Sequence, residues 1–156
     1  MADPSPGPVS AEDELFLAWR PRLLRFCVRL LGDAHDAEEV VQDVFTRVLE
    51  HGARYDLRRD PQLLLYTMAR NRCLDLRRRQ RRQEPGPTPE PAAPGHTPEL
   101  RAAMAALPDA EREVILLTLQ EGLTYQDVAR ILGCSIATVA ARKYAALARL
   151  RRSLLP

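Results

Sequence analysis

The densest chemistry in the chain is the run RNRCLDLRRRQRR, Arg70 to Arg82, with seven arginines and one acid, Asp75. A guanidinium keeps its charge at any working pH and forks its donors onto phosphate oxygens or guanine edges. Asn71, inside the run, has the amide that pairs with an adenine edge. The net charge of +2 is too small to point to nucleic acid, but its distribution is informative. Acids gather in DAHDAEEVVQD, Asp33 to Asp43, away from the arginines. One surface is thus suited to a polyanion and another to a basic partner. No Gly-rich phosphate loop occurs, nor a nucleophile with a base at motif spacing. His35 beside Asp36, Glu38 and Glu39 reads as a helix start favoured by acids, not as a metal site. No catalytic residue, metal or cofactor is therefore expected. Cys27, Cys73 and Cys134 are odd in number and far apart, which suits buried free thiols.

The elements that must position these residues read as helices. PGPTPEPAAPGHTP, Pro85 to Pro98, places six prolines in a short stretch, which excludes a helix and favours an extended linker. It divides the chain into two small blocks behind a tail over residues 1–10. The block over residues 11–84 has helices over Asp13 to Arg20, from Pro21 to Leu31, from a cap at Asp36 to His51, and from Pro61 onward. In the third of these, Ala37, Val40, Val41, Val44, Phe45, Val48 and Leu49 share a face, and an acidic stripe lies opposite. LLLYTMA, in the fourth, is apolar all round and expected to be buried on every side, with the arginine end pushed outward. The linker covers residues 85–97. The block over residues 98–156 opens at Thr97-Pro98, breaks and recaps at Leu107-Pro108-Asp109, and stops at Gly122. Thr124 then caps a short helix, Gly133 turns with positive φ, and Ser135 caps the last helix. The fold class is all-α. No apolar run reaches the roughly 18 residues of a membrane span, and the proline-rich, acidic start is not a signal peptide. A cytoplasmic protein with no membrane insertion of its own is expected.

Three of these segments, in this order, resemble the signatures of bacterial sigma-70 family factors of the extracytoplasmic-function group. DAHDAEEVVQDVFTRVLE and PQLLLYTMARNRCLDLRRRQRR resemble the family's region 2. ALPDAEREVILLTLQEGLTYQDVARILGCSIATV resembles its region 4. The resemblance implies a region 2 helical bundle and a region 4 helix-turn-helix on a flexible linker. It implies a non-catalytic factor that binds core RNA polymerase, recognises the −10 and −35 promoter elements and aids melting. The implied partners are the polymerase β′ coiled coil and β flap, promoter DNA and an anti-sigma factor.

Carried over position by position, the acidic helix would dock on the β′ coiled coil through Glu38, Glu39, Gln42, Asp43, Thr46 and Arg47. Contacts to the −10 element would come from Arg70, Asn71, Arg72, Asp75, Arg77, Arg78 and Arg79. Tyr55 is either a stacking platform for an unstacked base or a packing residue. The −35 element would meet Thr124, Tyr125, Ser135, Ile136, Ala137, Thr138, Ala140, Ala141, Arg142 and Lys143. Here the sequence departs from the family pattern, which runs close to TVKSRLYRAR. Arg142 is kept, but Ala140, Ala141, Ala145 and Leu147 stand at usually polar or charged positions. The electrostatic grip is therefore thin, resting on Arg142, Lys143, Ser135 and Thr138 with Arg149, Arg151 and Arg152, while the alanines remain able to touch thymine methyls. The eroded helix leaves open two alternatives: a domain that mainly contacts the β flap, and a sigma-like decoy that sequesters an anti-sigma factor. The arginine run argues against the decoy.

Overall fold

The computed structural model describes residues 10–54, 60–82 and 96–155. The expected tail, most of the expected linker and Tyr55 lie outside the described residues. Seven α-helices are described: α1 (Ala11–Leu31), α2 (Ala34–His51), α3 (Pro61–Arg82), α4 (Pro98–Ala105), α5 (Asp109–Ile115), α6 (Tyr125–Leu132) and α7 (Ile136–Leu154). Among the described residues there is no strand.

In the first block, the two helices expected on either side of Pro21 are one. Ser10 caps α1 by accepting from the Asp13 amide, and Gly32 closes it in the left-handed conformation, φ 73°. Pro21 is tolerated inside α1 because it forfeits only one amide, and Leu17, whose carbonyl loses that donor, is 68% exposed to water. The cap of α2 is Asp33 rather than Asp36. Asp33 has extended backbone and its carboxylate accepts from the Asp36 amide. The inward stripe of α2 is buried as its spacing predicts, except Leu49, which lies at the edge of the stripe near the helix end and stays exposed. The first half of α3 is not buried all round. Leu65, Tyr66, Ala69 and Cys73 form one buried face, while Leu63, Leu64, Thr67 and Met68 are half-covered. Cys27 and Cys73 face each other within that core, and their mutual hydrogen bond, with burial, pushes the Cys27 thiol up. Cys134 is only partly buried, contrary to expectation.

In the second block, Thr97 caps α4 as expected. Asp109 does not cap α5: Pro108 bounds that helix without a side-chain hydrogen bond, and Asp109 is its first residue. Its carboxylate is engaged elsewhere. After Ile115 the helix widens into a π-turn over Leu116–Gln120, where the Glu121 amide donates to the carbonyl of Leu116 five residues back. Gly122, φ 68°, then ends it. Thr124 caps α6, Gly133 turns at φ 67°, and Ser135 caps α7. α6 and α7 meet at 100°, within the range of a helix-turn-helix. No single described helix is long and apolar enough to cross a membrane.

The blocks do not have wholly separate cores. One cluster of buried side chains runs from Leu23 and Phe26 in α1 through Leu65 in α3 to Leu116, Leu117 and Val128 of the second block. The π-turn sits against α1, and α6 packs on α3. At the seam the Tyr66 hydroxyl donates to Glu121, and the Arg29 guanidinium to Gln120. The ring of Tyr66 is met edge-on by Trp19 and Phe26, with centroids 6.2 and 5.4 Å away.

A β-carbon on Gly133 would meet nothing within 4 Å. Gly133→Ala should therefore lose only the left-handed backbone term, about 1 kcal/mol, with no packing loss. Urea denaturation should report that loss with an unchanged m-value.

Candidate nucleic-acid interface

The basic end of α3 is only partly free. Arg72 reaches Asp43 of α2 at 2.9 Å. Arg70 approaches Glu113 of α5 at 3.4 Å, and Arg77 and Arg81 close on Asp109 at 2.9 and 2.7 Å. Asn71 and Asp75 are exposed, as are Arg78, Arg79 and Arg82. The expectation that this end projects into solvent is thus half met: its tip is open, and one flank lies against the second block.

Asp109 organises that flank. Arg112, nearly buried, also reaches it, at 3.2 Å, while donating to the carbonyls of Met104, Ala105 and Leu107. Burial alone would raise the Asp109 carboxyl, but the charges of Arg77, Arg112 and Arg81 outweigh it and hold the group below the ordinary carboxylate range. Deeper in the seam, burial and the hydrogen bond to Glu121 push the Tyr66 phenol well above its ordinary range. His96, beside Gln120, is held low by burial and by Arg29 and Arg101. The structure brings α3 and α5 together in a way that sequence reasoning missed. The signal was present in the acids of DAEREV facing the arginine run, but acids at a helix start are explained equally well by the helix dipole.

On α2, Glu38, Glu39, Gln42, Thr46 and Arg47 are exposed together. Asp43 is half-covered by its pair with Arg72, and Glu38 pairs with Arg20 at 2.6 Å. Two surfaces assigned to different partners are therefore joined through one ion pair.

On α7, Ile136, Ala137, Ala140, Ala141 and Tyr144 are exposed. The hydroxyls of Ser135 and Thr138 lie 2.8 Å apart, and Ser135 also accepts from the Thr138 amide, so both are engaged in the cap. Thr124 similarly accepts from the Asp127 amide. Lys143 sits over the ring of Tyr125, 5.0 Å from its centroid. Arg149 reaches Glu111 at 3.1 Å, while Arg151 and Arg152 are exposed. Arg142 faces the cleft toward α3. The first turns of α7 thus show an apolar face; of the charges expected to grip phosphates, Lys143 and Arg149 are engaged within the protein and Arg151 and Arg152 are open.

The model for sigma-70 region 2 matches residues 15–83, and that for sigma-70 region 4 matches residues 98–150. The chain is similar to the ECF RNA polymerase sigma factor EcfG of Rhodopseudomonas palustris, 31% identical over 143 residues, covering 85% of this chain and 78% of that protein. It is 33% identical to the ECF RNA polymerase sigma factor SigL of Mycobacterium tuberculosis over 145 residues, covering 85% and 82%. Among solved structures, the sigma factor RpoE of Bartonella quintana, crystallised with the anti-sigma factor NepR, superposes with a TM-score of 0.78. It shares 26% identity, over 90% of this chain and 94% of that one.

The Asp109 pairs set a pH dependence. Because its carboxyl is depressed by the guanidiniums, the contact contributes fully above the ordinary aspartate range, near about 4. It is lost as pH falls through the lowered value. Asp109→Asn should therefore lower the melting temperature at neutral pH, and the difference from wild type should shrink toward zero as the pH falls below the ordinary aspartate range and through the lowered value. Thermal unfolding of both proteins across that range measures it.

Proposed function

The chain belongs to the extracytoplasmic-function group of sigma-70 family factors, and from that premise we propose how its surfaces divide the work of promoter-directed initiation. A factor of this family binds core RNA polymerase and directs it to promoters; the reacting groups belong to the polymerase, and this chain is read as non-catalytic. The observation that carries the division of labour is the separation of an exposed acidic face on α2 from an arginine-rich end on α3.

The face of Glu38, Glu39, Gln42, Thr46 and Arg47 docks on the β′ coiled coil, where complementary charge speeds and orients encounter. Arg70, Asn71, Arg72, Asp75, Arg77, Arg78 and Arg79 meet the −10 element. On promoter DNA, Arg70, Arg72, Arg77 and Arg81 exchange their carboxylates for phosphates or base edges, charge-assisted bonds of the same kind. The helix-turn-helix of α6 and α7 takes the −35 element. Its exposed face of Ile136, Ala137, Ala140 and Ala141 offers base edges no donor or acceptor. The one apolar group on a major-groove edge is the thymine methyl. The −35 contribution therefore comes from methyl contacts, with Arg151 and Arg152 on the backbone. An anti-sigma factor as a further partner fits the likeness to RpoE, crystallised in complex with NepR.

Run-off transcription with reconstituted core polymerase tests the whole: start sites should map to promoters that the core alone ignores. Inert protein, with polymerase binding intact, would instead favour the decoy reading. Glu39→Lys should weaken capture of core polymerase about tenfold in a pull-down at low salt, in line with the rate effects of steering charge. Asp43→Lys is the poorer probe, because it also strands Arg72. Replacing thymine by uracil throughout the mapped −35 element should reduce binding about threefold or fourfold per lost methyl contact. The same replacement in the spacer should leave binding unchanged, as a gel-shift titration of the holoenzyme would measure.

A further inference from the structure

Between α3 and the second block lies a cavity of about 340 Å³. Five guanidiniums line it: Arg70, Arg77, Arg78 and Arg81 from α3, and Arg142 from α7. Among the described residues, only two carboxylates, Asp109 and Glu113, face them. Five positive charges less two negative leaves a formal excess of three. The carboxylates are also overcommitted. Asp109 is shared between Arg77, Arg81 and Arg112, and Glu113 meets Arg70 only at 3.4 Å. Arg78 and Arg142 have no carboxylate partner among the described residues. Arginine cannot relieve such crowding by losing a proton, so closing the seam concentrates positive charge that a bound anion would offset.

We propose that this cleft is an anion site for a compact polyphosphate, a ligand with two or more linked phosphoryl groups, and that its occupancy holds the two blocks together. Linked phosphoryls suit the lining because each guanidinium can engage separate oxygens by forked, charge-assisted bonds. The volume lies at the lower end of small-molecule sites, which begin near 300 Å³. A single sulfate or orthophosphate satisfies one or two guanidiniums and leaves the rest unbalanced. Because the lining comes from both blocks, the ligand binds the closed arrangement better than an open one and shifts the population toward it. The same arginines serve promoter DNA in the function proposed above. On that reading, which this consequence alone depends on, polyphosphate and promoter exclude each other.

Calorimetric titration of the full chain with sodium tripolyphosphate, at fixed ionic strength and without DNA, tests the site. Saturable binding of one equivalent is expected, and none with sulfate at equal ionic strength. Arg142→Ala should weaken binding about tenfold, the scale of a lost charge-assisted hydrogen bond, and Arg142→Lys should restore part of it. Arg77→Ala should weaken it likewise. Circular dichroism confirms that each variant is folded. Loss on Arg142→Ala is the decisive outcome, because Arg142 lies outside the arginine run. Undiminished binding by that variant would show that the run alone attracts polyanions and would overturn the proposal. Binding that is unsaturable, or matched by sulfate, would overturn it too. A nucleoside triphosphate run beside tripolyphosphate distinguishes a nucleotide ligand from an inorganic one by which binds tighter. Competition with promoter DNA is measured separately, so failure there leaves the site standing and counts against the DNA assignment.

Discussion

Seven guanidiniums within thirteen residues must be set against anions in every state the chain adopts. In the arrangement described here, four of the seven meet carboxylates of the chain itself. Asp43 of the same block holds Arg72, while Asp109 and Glu113 of the other hold Arg70, Arg77 and Arg81. The acidic start of α5 thus lies where a polyanion would otherwise lie. The second block meets α3 chiefly through α6 and meets α1 through the π-turn, and the long guanidinium side chains reach from α3 to Asp109 and Glu113 beside that contact.

The seam is apolar in the middle and polar at its edges. Leu116 and Leu117 contribute buried surface continuous with Phe26 and Leu65, and each such side chain is worth about 1.5–3 kcal/mol when fully covered. The bond from Tyr66 to Glu121 adds direction more than strength, because a buried carboxylate has to be satisfied wherever it is placed. The π-turn makes that bond possible. Its extra residue resets the end of α5 so that Gln120 and Glu121 turn toward the first block, in keeping with the frequent placement of such bulges at working positions.

The helical pattern, both blocks and most caps were legible in the sequence, because caps and hydrophobic spacing are local. Ser10 and Asp33 show the limit of that reading. Each caps by the ordinary rule, but choosing between Asp33 and Asp36 required knowing which residue takes extended backbone. Pro21 misled because a proline is permissible both at a helix start and inside one whose freed carbonyl meets water. Leu49 and the outer side of α3 were misjudged because spacing gives a stripe, not how far its neighbours extend. For the site, residue types marked the arginine run and the acidic face. What they could not give was the pairing across 28 to 43 residues that joins α3 to α5, since the acids of DAEREV satisfy a local rule as well. The polymer-facing, −10 and −35 assignments rest on the family, and the alanines of α7 are where that guide is weakest.

Lys143 is the lone lysine, so nearly all the fixed positive charge is guanidinium, and it does not titrate in the range where proteins survive. Across the seam the phenol of Tyr66 is likewise displaced upward, so its bond to Glu121 persists where a free tyrosine would already have ionised. The junction between the halves is consequently bounded at both ends of the pH range: Asp109 gives up its guanidinium pairs in acid, and in strong alkali the unfolded chain, whose phenol ionises freely, gains on the folded one.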